Sequence, residues 1–181
     1  MKDKIQILNG KKESYTAKEA MRHVVEYMKM KSAHAIEIVT LQDSKEAGAE
    51  SVLFVKMFMR FLHKNSGKVF LLAQNEDMLF KLRNYIEETY SRIYIMETAN
   101  WEDHAASHDM ILNRINGAEA ECIITALPEE AQTEFVEQYR TALDAKIWLG
   151  LGTHLKRKRN SSVLTRICDY LIRQFSRKGK E

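Results

Sequence analysis

From residue 5 to residue 150, short apolar runs with strand-like spacing alternate with longer stretches in which apolar residues recur every three or four positions. Residues 5–8 (IQIL) predict a strand, and Thr16 predicts a helix start that runs to Met30, with Glu19 at the spacing of a capping box. Its apolar face would be Ala20, Val24, Tyr27 and Met28. Residues 34–41 (HAIEIVTL) alternate and are β-branched, predicting a strand that ends near Thr40. A helix over 44–63 follows, whose segment VLFVKMFMRFL is apolar on more than one side yet too short to cross a bilayer. Residues 68–73 (KVFLLA) read as a central parallel strand, continuously apolar because both its faces would be covered. Asn75 then caps a helix to about Tyr90, residues 92–96 (RIYIM) form the next strand, and 104–115 form a helix closed by Asn116-Gly117.

Residues 120–152, AECIITALPEEAQTEFVEQYRTALDAKIWLGLG, carry a strand, turn, helix and second strand in one βαβ unit. Residues 122–125 are the first strand. Pro128 supplies a fixed φ and lacks an amide hydrogen where a helix begins, and Glu129 and Glu130 suit the positive end of that helix. Phe135, Val136, Tyr139 and Leu143 then cover a sheet, and 145–149 form the second strand, ending in Gly150, Leu151 and Gly152. With helices between nearly all strands and no hairpin signal read, the expected fold is α/β: a three-layer sandwich with a mostly parallel, Rossmann-like sheet and right-handed crossovers. Ligands in such folds bind at strand C-termini, so Thr40, Gln132, Gly150 and Gly152 would converge there as a hydroxyl, an amide and open backbone. Ordinary turn chemistry is the competing account of the two glycines.

Composition changes this picture only at the C-terminus. The net charge is +3, but residues 156–181 hold nine basic and two acidic residues, a net +7, leaving −4 on the rest. The expected organisation is therefore one α/β domain over 1–155 and a basic amphipathic tail over 156–181. In that tail Leu164, Ile167, Leu171, Ile172 and Phe175 share a helical face, with Arg157, Arg159, Arg166, Arg173 and Arg177 as candidate membrane-surface residues. A solvated charged helix and a nucleic-acid contact are the other readings. No helix-turn-helix, RNP or zinc pattern accompanies the charge, so no nucleic acid is expected. The opening MKDKIQIL reads as neither a signal peptide nor a membrane span.

Other chemistry-bearing residues favour structural roles. The two cysteines, Cys122 and Cys168, lack C-x-x-C spacing and suit a reducing cytosol, with Cys122 expected to be buried and inert. His104 and His108, four apart on one predicted helix, lack the glutamate of an H-E-x-x-H motif, and no metal or cofactor is expected. Trp148 reads as core, while Trp101 is open to stacking on a sugar or a base.

Three stretches, VFLLAQNEDMLFKLRNYIEETYSRIYI, HDMILNRINGAEAECIITALP and AQTEFVEQYRTALDAKIWLGLG, together with IEIVTLQDS, resemble the WecG/TagA/CpsF glycosyltransferases in text and in order over roughly residues 5–155. The last stretch resembles the family's "P-K-Q-E-x-W" helix and "G-V-G" strand end, and IEIVTLQDS resembles its "V-V-T-x-N" strand end. That resemblance implies Thr40 as the active-site threonine, with Gln132, Gly150 and Gly152 shaping a donor pocket. It also implies inverting transfer of an N-acetylhexosamine, typically N-acetylmannosamine, from a UDP-sugar to a polyprenyl-diphosphate-linked acceptor. The implied location is cytoplasmic, on the inner face of the membrane.

The departures fall where the family does its chemistry. The "D-G-x-G" loop bearing the family's proposed base has no counterpart between IEIVTLQDS and VLFVKMFMRFL, where some tens of residues of the pattern are absent. Gln42 replaces asparagine, Ala73-Gln74 replaces a glycine pair, Thr133 follows Gln132 where the family has glutamate, and Leu155-Lys156 replace phenylalanine and aspartate. A positioned base contributes roughly 10² to 10⁴ in rate, so its loss implies reduced or absent activity. The alternative is a catalytically inactive paralogue serving as a binding or scaffold subunit, as a homo-oligomer or paired with a full-length transferase. An unrelated nucleotide binder is disfavoured because no G-x-G-x-x-G or Walker sequence is present.

Overall fold

The computed structural model describes residues 5–8, 12–30, 36–41, 49–104 and 107–151. Among these residues seven strands form one sheet in the order β2-β1-β3-β7-β6-β4-β5. The strands are β1 Ile5–Leu8, β2 Lys12–Tyr15, β3 Glu37–Leu41, β4 Lys68–Ala73, β5 Tyr94–Asn100, β6 Cys122–Ala126 and β7 Ile147–Gly150. The helices are α1 Ala17–Lys29, α2 Ala49–Asn65, α3 Glu76–Thr89, α4 His108–Gly117 and α5 Glu129–Tyr139. Strands β3, β7, β6, β4 and β5 are mutually parallel, which gives the expected Rossmann-like α/β architecture.

Two apolar cores lie on opposite faces of this sheet. Phe54, Phe58 and Leu62 of α2, Leu82 and Ile86 of α3 and Val24 of α1 pack on Val39, Leu71, Ile124 and Leu149. Ile111 and Ile115 of α4 and Phe135 and Tyr139 of α5 pack on Phe70, Leu72, Ile123 and Trp148. Alternate residues of each strand thus serve opposite faces, which is why β4 and β6 are apolar at successive positions. The apolar α2 is mostly absorbed by the first core, and Leu53, 40% exposed, is its one exposed large apolar side chain.

Local sequence sets the helix starts. Thr16 and Glu19 form the predicted capping box, Thr16 N–H donating to Glu19 Oε2 at 2.9 Å. Asn75 Oδ1 accepts from Met78 N–H at 3.1 Å at the start of α3. Pro128 stands one residue before α5, its carbonyl accepting from Gln132 N–H at 3.0 Å.

The sequence reading fails at three places. First, β1 and β2 form an antiparallel hairpin in the register Ile5↔Tyr15, and β1 also pairs antiparallel with β3. The signal lay in Asn9-Gly10, a dipeptide suited to tight hairpin turns, but the polar KESY segment has no strand-like apolar pattern. Second, β5 runs to Asn100 rather than Met96, because backbone pairing with β4 continues past a bulge at Met96, where the register passes from Ile95↔Val69 to Glu97↔Phe70. Third, α4 starts at His108, and a separate 3-10 turn occupies Glu102–His104. His104 and His108 therefore do not share a helix face.

Candidate functional site

The C-terminal ends of the parallel strands form one edge, and the register brings two of the predicted residues, Thr40 and Gly150, side by side there. Thr40 of β3 pairs with Gly150 of β7, and Gly150 pairs in turn with Thr125 of β6. Three neighbouring strands thus place a half-buried hydroxyl, a bare backbone and a second, fully buried hydroxyl in one row. Thr125 escaped the sequence reading because it closes an otherwise apolar run, where a threonine looks like one more β-branched core residue.

Gln132 lies behind this row rather than in front of it. It is 5% exposed. Its Oε1 accepts from Thr125 Oγ1 at 2.8 Å and from Trp148 Nε1 at 3.3 Å, while Nε2 donates to the Leu127 carbonyl at 3.0 Å. The same oxygen lies too close to Gly150 for a Cβ there to fit without a shift. Gly150 is therefore a glycine of close approach, and the amide of Gln132 is what it approaches.

The switch point of the sheet lies one strand further along. The chain leaves β4 for α3 on one face and leaves β6 for α5 on the other, which puts the switch point between Ala73 and Ala126. Ala73 is fully buried, and Gln74 N–H donates to the Ala126 carbonyl at 3.1 Å. The carbonyls of Ala73 and Gln74 accept from Trp101 and Glu102 N–H at 2.8 and 3.1 Å, which folds the 3-10 turn over the end of β4. Asn100, another residue the sequence reading missed, ties this turn down by donating to Asp103 Oδ2 at 2.6 Å and accepting from Asp103 N–H at 2.8 Å.

Charge distinguishes the two ends of this edge. Glu76 and Asp77 open α3, Glu102 and Asp103 open the 3-10 turn, and Glu129 and Glu130 open α5. Carboxylates there complement the helix dipoles but oppose a phosphate at the same termini. Among the described residues, the row Thr40, Gly150, Thr125 holds no acidic side chain.

The remaining candidates have structural surroundings. Trp148 is fully buried and stacks on Phe135 with centroids 5.6 Å apart. Trp101 is half-buried, its ring 4.4 Å from that of His108. Burial pushes the Cys122 thiol far above the ordinary cysteine range, so it is no nucleophile at neutral pH. His104 Nε2 meets Arg114 Nη1 at 2.8 Å. Among the described residues no group of three or more histidine, cysteine or acidic side chains could hold a metal ion, and no helix is long and apolar enough to cross a membrane. Gly152, Gln42, Asp43, Leu155, Lys156, and Arg157, Arg159, Arg166, Arg173 and Arg177 of the tail over 156–181 lie outside the described residues.

No curated protein matches the chain. The pattern of the glycosyl transferase WecG/TagA/CpsF family matches residues 39–157, a span that begins within β3, passes through β7 and takes in every parallel strand end described above. By that match across most of its length, the chain belongs to the WecG/TagA/CpsF family of glycosyl transferases.

Proposed function

We propose that the protein is a shortened transferase of cell-envelope polysaccharide synthesis that binds a UDP-N-acetylhexosamine, typically UDP-N-acetylmannosamine, at the Thr40–Gly150 end of the sheet. The acceptor would be a sugar linked to a polyprenyl diphosphate. The observation that carries this reading is the row Thr40, Gly150, Thr125 at the C-terminal edge, where a hydroxyl adjoins backbone with no side chain of its own. Thr40 would contact donor or acceptor, Gly150 and Gly152 would admit the donor's backbone contacts, and Gln132 would shape the pocket from behind. The acidic starts of α3 and α5 favour a diphosphate at this end over the switch point between β4 and β6.

In this reading residues 1–155 are the catalytic domain and 156–181 a basic tail that meets anionic lipid, holding the protein on the inner face of the membrane beside its acceptor. Sedimentation with anionic liposomes tests the tail: the full chain should co-sediment more than a version ending at Thr153, and equal sedimentation rejects it.

A second reading, an inactive paralogue acting as a scaffold for itself or for a full-length transferase, is favoured by Ala73-Gln74. The buried Ala73 and the bonded Gln74 amide fill a strand end where the family has two glycines. Calorimetric titration with UDP and UDP-N-acetylmannosamine, on the native protein and on Thr40→Ala, separates the readings. Saturable binding weakened by Thr40→Ala supports the transferase. No heat at millimolar ligand, with a dimer or larger species by light scattering, supports the scaffold.

A further inference from the structure

The amide of Gln132 makes three hydrogen bonds, all internal, in a place where hydrocarbon of equal volume would fill the space. Each partner lies near the candidate edge: Thr125 is the last residue but one of β6, Leu127 follows that strand, and Trp148 lies two residues before Gly150 in β7. We infer that Gln132 is a positioning residue, which without touching the nucleotide sugar sets the height of the Gly150 backbone and, through the β3–β7 register, the place of the Thr40 hydroxyl. The inference rests on the donor site proposed above.

The geometry allows few alternatives. Buried hydrogen bonds in a dry node are directional, and a broken one leaves an unpaired group, so the node tolerates one arrangement of helix start and strand ends. Gly150 has no Cβ to keep α5 away, so Gln132 Oε1 comes close to its backbone, beside the Phe135–Trp148 stack that also joins α5 to β7. Thr125 is fully buried and cannot reach a ligand. Its hydroxyl donates to Gln132, so a binding defect caused by removing that hydroxyl alone travels through Gln132 rather than through contact with the ligand.

The test is calorimetric titration of UDP into the full-length protein, Thr125→Val, Gln132→Met and the double variant, at a temperature well below all their melting points. Each single change should weaken UDP binding by roughly tenfold, and the double variant should bind no more weakly than Gln132→Met, because both remove the same bond. Gln132→Glu adds a readout that lost packing would not move. Its protonated carboxyl can again donate to Leu127, so its affinity relative to wild type at the same pH should recover on acidification.

Wild-type affinity in Thr125→Val with loss in Gln132→Met would mean that Gln132 touches the ligand itself, and wild-type affinity in every variant would reduce the node to packing. Either result overturns the inference. A wild type that binds no UDP rejects the donor site instead, and hydrogen exchange then tests the node alone. The Leu151 amide, bonded to the Thr125 carbonyl at 2.9 Å, should exchange faster in Thr125→Val than in wild type, and unchanged protection overturns positioning.

Discussion

Gly150 and Gln132 crowd one another: the side-chain oxygen of the glutamine lies closer to where a Cβ at residue 150 would sit than non-bonded atoms approach. Gly150→Ala should therefore destabilise the fold by about 1–3 kcal/mol, the usual cost of forcing an extra carbon into a packed interior. Combined with Gln132→Ala, which vacates that space, the two losses should sum to less than their separate values. Urea unfolding of the two single variants and the double variant checks this, and strict additivity would mean the two sites do not share the space.

Glu37 is 3% exposed, with His23 Nε2 at 3.2 Å from its Oε1. Burial raises its pKa above the ordinary 4.5, while His23 and Arg140 oppose the rise. The folded protein therefore holds this proton more tightly than the unfolded chain. The resulting stability is present at acid pH and is lost as pH rises from the ordinary carboxylate value through the raised one. Glu37→Gln should match wild type below that window and melt higher above it. Thermal melts of both proteins across the window decide the matter, and parallel curves would show that Glu37 contributes no pH dependence.

The Cys122 thiol, fully buried and with its ionisation suppressed, should resist iodoacetamide in the native protein at pH values where an exposed cysteine reacts. Peptide mapping after labelling with and without urea should find Cys122 modified only in the denatured sample.

Arg114 joins α4 to β5 and to the 3-10 turn. Its Nε donates to Glu97 Oε1 at 2.6 Å, Nη2 to the Thr98 carbonyl at 2.7 Å, and Nη1 meets His104 Nε2 at 2.8 Å. A guanidinium only donates, so Nε2 accepts and the ring proton sits on Nδ1. Nitrogen NMR should show the neutral His104 ring with its proton on Nδ1. Arg114→Lys, which cannot hold the three-way fork, should cost about 1–2 kcal/mol in urea unfolding.

Much of the parallel core was legible because its signals are local. KVFLLA and CIITA need no partner to declare themselves as buried strands, and Thr16, Asn75 and Pro128 mark helix starts by their own chemistry. What escaped depends on partners distant in sequence. KESY becomes a strand only through its ladder with β1, and β5 continues through ETAN only because β4 lies beside it. Of the candidate site, Thr40 and Gly150 could be aligned from strand ends alone. The internal role of Gln132 could not, since it depends on Thr125, seven residues earlier, and Trp148, sixteen later.

The pairing of β3 with β7 joins residues 37–40 to residues 147–150. On one side of that seam lie β2, β1 and β3, and on the other lie β7, β6, β4 and β5. During synthesis the first group leaves the ribosome about a hundred residues before its partner exists, and β3 must wait with an open edge until β7 emerges. The loop entropy of so distant a closure must be met before any of its contacts form, which places this seam among the last steps of folding. A nascent chain paused before residue 147 therefore presents an unpaired strand to chaperones and to neighbouring nascent chains.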